Sequence, residues 1–446
     1  MTGKSSRNQR TIMNHYKSTF REGEKRFLHQ RQFIHLLCKD AFNQFMEMGF
    51  PTTRTEAWRS TNVSSLVKIP FTLPNGEGGT INKKFLDPYL LQNSHRIVII
   101  NGKISSTLSD FDRLSDSVTI QSLSAAIQES PELLERHLGK YANFVEHPFV
   151  ALNSAFLSDG LFLLIKRGQT IEVPIHLIFL SAPSKQNTIF HWRNLILTDK
   201  ESNVTLIEHY IGSEGCRYFS NGVTEIVSEE NATLQHIKIQ QESHDSYHIS
   251  TTQIQQMTNS QISSHHITIG ANLTRNDVNV VLSGEGTNCS VNGLTLSKEK
   301  QHMDNHTMIE HVKPNCISRE LYKGIYDDHS HGVFNGRIIV HKNAQKTDAK
   351  QTNRNLILST NAKANSNPQL EIHADDVKCS HGSSTGELDE EALFYLRSRG
   401  INLNEAIKIL INGFANEVID RINVTPLKDR LNHLLLEWLS TNRSKT

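Results

Sequence analysis

Cysteine is scarce in this 446-residue chain: there are five, odd in number and scattered, at Cys38, Cys216, Cys289, Cys316 and Cys379. That count and spacing exclude a disulfide framework. The absence of any CxxC pair excludes a zinc ribbon or a thioredoxin-like site. An excess of charge is also missing, because 47 basic side chains meet 46 acidic ones. Nothing electrostatic therefore calls for nucleic acid or an anionic membrane as partner. The longest apolar runs, such as Leu161–Ile165, are far too short to span a bilayer. Residues 1–10 are polar and basic with no apolar segment behind them, so no secretory signal is expected. No G-x-x-x-x-G-K-[ST] cradle occurs and no G-x-G-x-x-G follows a strand, so any ATP hydrolysis belongs to another chain. These absences describe a cytoplasmic protein with free thiols. Its 37% hydrophobic and 21% charged residues and its length suit two or three domains with a real core.

Residues 13–50 read as helix, with an apolar stripe at Phe33, Leu36, Leu37, Phe42, Phe45 and Met46 that ends at Gly49 and Pro51. A loop is evident at residues 73–80, a strand at 96–100, and a helical insert within 121–145. From about residue 150 to 386 the texture is different. Short β-branched runs (Leu161–Ile165, then 175–180, 195–198, 204–207, 222–227, 234–239, 262–269, 278–282, 337–340 and 356–359) alternate with turns rich in Asn, Ser, Gly and Asp.

Within this region Asn203, Asn231, Asn259, Asn288, Asn315 and Asn343 lie 28, 28, 29, 27 and 28 residues apart. Each precedes a small or β-branched residue. A period of that length, built of strands and turns without helix, is what the coils of a parallel β-helix require. Asn suits a corner because it tolerates the left-handed region. A β-sandwich is the rival, but its turns recur at about half this spacing. After residue 386 the pattern is helical. Asp389 can cap a helix over 390–398 that stops at Gly400, Asn404 can cap a second, and Thr425-Pro426 can open a third. The division is thus 1–95, mainly helical; 96–386, β-helix; and 387–446, helical. The two long terminal helices need a surface to cover, either the open end of the solenoid or a partner.

Three patterns carry chemistry. Gly382-Ser-Ser-Thr-Gly386 fits the G-x-S-x-G nucleophile elbow, yet the surrounding strands lack the alternating helices of a hydrolase, and the glycines suit a turn into the helical tail. Histidines cluster at His265-His266, at His302, His306 and His311, and at His329-Ser-His331, where metal binding competes with ordinary solvated or satisfied side chains. Cys379-Ser380-His381 differs in kind. Two residues apart on an extended segment, thiol and imidazole share a face within reach of one metal ion. Iron in a sulfur environment accepts both. Two ligands leave a tetrahedral site incomplete, so a second chain would have to complete it. The other reading is an inert buried Cys beside a turn His.

Residues 347–401 resemble the C-terminal signature of the SufB/SufD family, in NRNLILS, PQLEI followed by ADDVKCSHG, and LDEEALFYLRSRGI. The absence of cysteine from 353–358 resembles the SufD branch. Upstream, Pro51-x-x-Arg54-x-Glu56-x-Trp58, FVALNSAFLSDG at 149–160 and residues 324–347 are similar to further family elements. The resemblance implies a right-handed parallel β-helix with helical N- and C-terminal domains, acting as a non-catalytic scaffold for iron–sulfur cluster assembly. It implies two partners: SufB through the β-helix, and the ATPase SufC through the C-terminal helices, where Leu393, Phe394, Leu396 and Phe414 would form the docking side. By motif position, His381 matches a histidine associated with a transient cluster shared with SufB, and Cys379 the neighbouring cysteine. No permanently bound cofactor is expected, and a homodimer is a possible resting state. The family usually carries an aromatic residue where this chain has His373. The alternative from a different class is a solitary hydrolytic or carbohydrate-active β-helix enzyme.

Overall fold

The structure is a computed structural model that describes residues 2–27, 31–74, 83–111, 114, 116–182 and 187–440. The loop read at 73–80 lies, from residue 75 on, outside the described residues.

The chain opens with α1 (Thr2–Phe27) and α2 (Gln32–Met48), so the single helix expected over 13–50 is two. Gly49, at φ 65°, ends α2 as expected. Short helices α3 (Ser64–Val67) and α4 (Lys83–Leu86) lead to strands β1 (His95–Ile100), β2 (Lys103–Ile104) and β3 (Val118–Ser122). The helical insert is α5 (Leu123–Glu129) and α6 (Pro131–His137), divided where Pro131 starts a new helix. After α7 (Pro148–Ala155) come β4 (Leu161–Ile165), β5 (Thr170–Ser181), β6 (Thr188–Thr198), β7 (Asn203–Gly212), β8 (Tyr218–Ser228), β9 (Thr233–Gln241), β10 (Tyr247–Gln256) and β11 (Gln261–Ile269). The series continues through β12 (Leu273–Leu282), β13 (Asn288–Ser297), β14 (His302–His311), β15 (Ile317–Tyr326), β16 (His331–Val340), β17 (Asp348–Ile357), β18 (Lys363–Ile372) and β19 (Lys378–Gly386).

From β4 onward, odd strands pair in parallel with odd and even with even, giving two facing sheets wound as a parallel β-solenoid of about seven turns. The expected fold class is therefore the observed one. The period comes from the corners. Residues Glu201, Asn231, Asn259, Gly286, Asn315 and Lys346 occupy one equivalent corner, one per coil. All six have positive φ, between 55° and 68°. The backbone N–H of each donates to the carbonyl one coil further on: Asn231 to Thr258, Asn259 to Glu285, Asn315 to Gln345. Three of the six spaced asparagines hold this position. The other three, Asn203, Asn288 and Asn343, stand two or three residues away while Glu201, Gly286 and Lys346 take the corner. The backbone ladder tolerates that drift because the main chain, not the amide side chain, carries it. The residue after the corner is small and buried in every coil (Ser202, Ala232, Ser260, Thr287, Cys316, Thr347), since it turns into the narrow interior.

Helices cover the outer faces. Residues of α1, α2 and α7 pack with Leu195, Leu197, Phe219 and Ile249 on the even sheet. At the far end of the chain α8 (Glu390–Ser398), α9 (Leu403–Ile419) and α10 (Thr425–Ser440) follow β19. Asp389 caps α8 by accepting from the N–H groups of Glu391 and Ala392. The cap of α9 is Asn402, which accepts from Glu405 N–H, rather than the expected Asn404. Apolar residues of α9 and α10, Ile411, Val418, Leu431 and Leu435 among them, pack on the odd sheet against Ile207, Ile237, Ile267, Leu294 and Leu356. These two helices thus cover a sheet face and leave the end of the solenoid open.

Candidate functional site

At that end β18 and β19 pair on one side only, with β16 and β17. On β17, Ala349, Gln351, Asn353 and Asn355 are buried, so they line the solenoid interior. Their register partners on β19 are Cys379, His381, Ser383 and Thr385. Alternation puts those four on the same inward face, but no further coil covers them. Cys379 is half-buried and packs with the core cluster that holds Ile338, Phe334 and Ala349. Burial pushes its thiol pKa up, which a backbone hydrogen bond at Ala349 partly opposes. His381 is exposed. Across the mouth, Ser383 Oγ donates to Ser366 Oγ on β18 at 2.7 Å. Among the described residues no group of three or more His, Cys, Asp and Glu is gathered to hold a metal. Thiol and imidazole do share a face, as their spacing requires, and they remain two donors.

Beneath them lies a layer that sequence reasoning missed. Glu320 on β15, Gln351 on β17 and His381 on β19 are successive register partners. Gln351 Nε2 donates to Glu320 Oε2 at 2.7 Å. Burial pushes the Glu320 carboxyl up to about 7, against hydrogen bonds from Thr307 and Gln351.

Deeper in the solenoid the interior is polar as well. His248 Nδ1–H donates to Glu242 at 2.5 Å, and Lys238 Nζ donates to His248 Nε2 at 3.1 Å and to Asn276 Oδ1 at 3.1 Å. Ser250 Oγ–H extends the chain to Asn276 at 2.9 Å. Burial lowers Lys238 to about 8, opposed by the charges of Glu208 and Glu242. Burial alone would raise Glu208, but His236 and Lys238 hold it below its ordinary value. The available signal was period-two alternation of His, Ser, Thr and Gln, as in Tyr247–Gln256. It marks a strand whose inward residues are hydrogen-bonded rather than greasy.

The N-terminal Pro51–Trp58 element docks on the even sheet. The Arg275 guanidinium lies 4.1 Å from the Trp58 ring centroid, donates to the Ala57 carbonyl at 2.6 Å, and pairs with Asp277 and Asp304. A cleft of about 530 Å³ opens beside it, lined by Glu56, Arg59, His306, Arg337 and Glu371 among others. Of its polar groups, Arg337 pairs with Glu371 and His306 Nε2 lies 3.0 Å from Asp304.

The remaining motifs settle into structure. His265 and His266 are buried, and burial pushes His265 down to about 4 and His266 well below its usual range. His302 accepts or donates at Thr61 Oγ1 (2.8 Å) and stands edge-on to His331. Gly382-Ser-Ser-Thr-Gly386 is part of β19, not an elbow and not a turn. Ser384 pairs with Arg354 in extended backbone, is exposed, and has no described imidazole or carboxylate bonded to it. Of the expected docking residues, Phe394 is 75% exposed while Leu393 and Leu396 are half-buried. Phe414 is half-buried instead, with Lys323 Nζ 4.1 Å from its ring centroid and bonded to its carbonyl at 3.0 Å. Tyr395, 57% exposed, joins Phe394 on the open face of α8.

The chain is thus a parallel β-solenoid whose outer faces carry helices and whose last strands no further coil covers. The family model described as "SUF system FeS cluster assembly, SufBD core domain" matches residues 180–414, and the "SufBD protein N-terminal region" matches 10–177. A SufBD family protein of Synechocystis sp. is 34% identical over 394 residues, covering 86% of each chain. The iron–sulfur cluster assembly protein SufD of Escherichia coli is 31% identical over 413 residues, covering 92% of each. A chloroplastic protein of Arabidopsis thaliana is 30% identical, covering 86% of this chain and 82% of its own. This chain belongs to the SufB/SufD family of iron–sulfur cluster assembly proteins. No described helix is long and apolar enough to cross a membrane.

Proposed function

We propose that the chain is a SufD-type, non-catalytic scaffold subunit that works in the cytoplasm in a complex with SufB and the ATPase SufC. The observation that carries the reading is the uncovered end of the solenoid, where a sheet edge and an inward row of Cys379, His381, Ser383 and Thr385 face outward for lack of another coil. SufB meets that end. His381 donates imidazole to iron, with Cys379 beside it, and SufB supplies the rest of the ligands to a transient cluster. SufC docks on the C-terminal helices, for which the exposed Phe394 and Tyr395 are the available apolar anchors. Its ATP-driven closure moves the SufB–SufD pair so that the ligand row opens and closes.

The test is co-expression with SufB and SufC followed by anaerobic purification. The complex should carry iron and sulfide, and His381→Ala should leave it assembled while its iron content falls severalfold. A complex with undiminished iron would refute the ligand role, and a chain that never retains an ATPase would refute the scaffold role. Mass measurement with and without SufB decides whether two copies share the same edge at rest.

A further inference from the structure

Gln351 is one of several buried amides, with Asn194, Gln240 and Gln256, whose carbonyl oxygen lacks a described partner. It is fully buried, its Nε2 is committed to Glu320 Oε2 at 2.7 Å, and its Oε1 has no hydrogen-bond partner. A carbonyl oxygen in that state is costly unless an N–H reaches it. Space for the amide is built into the facing sheet. A Cβ on Gly336 would stand 2.3 Å from Gln351 Nε2 and 2.7 Å from the Phe334 ring, so a larger residue there would force the amide or the ring to shift. With its nitrogen turned to Glu320 in the coil below, the amide keeps its oxygen for another neighbour. In the coil above, the residue of the same row is His381, whose neutral ring always carries one N–H.

We propose that Gln351 is a positioning residue for His381. Its carbonyl oxygen accepts the imidazole N–H on the nitrogen not offered to iron, which fixes the tautomer, and Glu320 keeps the amide from turning over. The proposal rests on the reading of His381 as an iron ligand, and it adds the group that aims that ligand. Histidine ligands commonly use such a partner, and its loss costs about 10- to 100-fold in metal affinity.

Two readouts separate the two claims. Side-chain ¹⁵N spectra of histidine-labelled chain, recorded without iron, report the His381 tautomer. Fe²⁺ titration of the complex with SufB and SufC reports affinity. In the unaltered chain one neutral tautomer of His381 should dominate. Gln351→Met, similar in length but without an acceptor oxygen, should give a mixture and weaken Fe²⁺ binding about 10- to 100-fold. Gln351→Glu, which keeps an acceptor oxygen, should retain the single tautomer. Circular dichroism of each variant establishes that the solenoid is intact. If Gln351→Met misfolds, the Gln351→Glu spectra and the unaltered chain still decide: a tautomer mixture in the unaltered chain overturns the proposal. So does a tautomer population that is the same in folded Gln351→Met. If His381→Ala binds Fe²⁺ unchanged while the tautomer still responds to Gln351, the positioning stands and the ligand reading falls.

Discussion

His236 and His381 occupy the same interior row of the odd sheet, linked strand by strand through Ser264, Val291, Glu320 and Gln351. His236 is buried, bonded to Ser264 Oγ at 2.9 Å and 3.7 Å from Glu208. His381 is exposed. The local backbone is the same, so the difference lies in the neighbouring coil: one stacks on His236 and none stacks on His381. In a solenoid each coil contacts only its neighbours, so the same residue type is buried where stacking continues and exposed where it stops.

The largest expected effect concerns acid. Burial holds His176 and His191 down to about 3, and His265, His302 and His311 down to about 4, so the folded chain keeps them neutral. Below pH 6.5 the unfolded chain takes up protons that the folded chain refuses. This contribution is fully present above pH 6.5 and is lost as pH falls toward 4 and 3. The slope is about 1.4 kcal/mol per pH unit for each proton. Glu320 has the opposite sign. With its carboxyl raised to about 7, the folded chain keeps a proton that the unfolded chain releases near 4.5, so stability falls between those values as pH rises. Glu320→Gln should therefore stabilise at pH 8 and change little at pH 4.5. Denaturation midpoints across pH 4 to 8 measure both, and a flat profile from 4.5 to 6.5 would refute the claim that burial keeps these histidines neutral.

Next comes a pair of ion pairs. Arg193 and Glu225 are buried and 2.6 Å apart, and Glu225 also accepts from the N–H groups of Gly139, Tyr141 and Ala142. Arg193→Ala should cost about 3–5 kcal/mol by stranding a buried carboxylate. Arg337→Ala, which removes an exposed partner of Glu371 near the open end, should cost at most about 1 kcal/mol. Urea midpoints of the two variants sharpen the comparison, and equal losses would contradict it. Glycines give a third contrast, which ends on the smallest effect. A Cβ on Gly293 would stand 2.2 Å from the Tyr322 ring, whereas one on Gly382 would meet nothing within 4 Å. Gly293→Ala should destabilise by about 1–3 kcal/mol and Gly382→Ala by no more than about 0.5 kcal/mol, both read as shifts in melting temperature.

The same contrast explains what could be read from sequence. Strand β4 stands out as an apolar run because its inward residues are aliphatic, and β9 and β11 do so through Ile237, Ile239 and Ile267, which face outward under α9 and α10. Strands β10, β14 and β19 did not stand out, because many of their inward positions hold His, Ser, Thr, Asn or Gln. The coil period was visible through asparagine only where asparagine still holds the left-handed corner. The cap of α9 was misplaced by two residues because Asn402 and Asn404 both stand just ahead of the apolar stripe. Cys379 and His381 were legible as a pair because two-residue spacing puts them on one face, while the ligand role came only from the family resemblance. Gln351 and Glu320 were not, because their meaning depends on register partners about thirty residues away.

The apolar cluster beneath α9 and α10 reaches from Ile207 on β7 to Leu356 on β17. A bare stack of coils unzips from its free end one rung at a time, each rung answering only to the next. Two helices lashed lengthwise across the rungs tie distant coils to a common support. The last rung, where His381 sits, pairs on one side only. The solenoid therefore has a braced shaft and one end that no further coil covers.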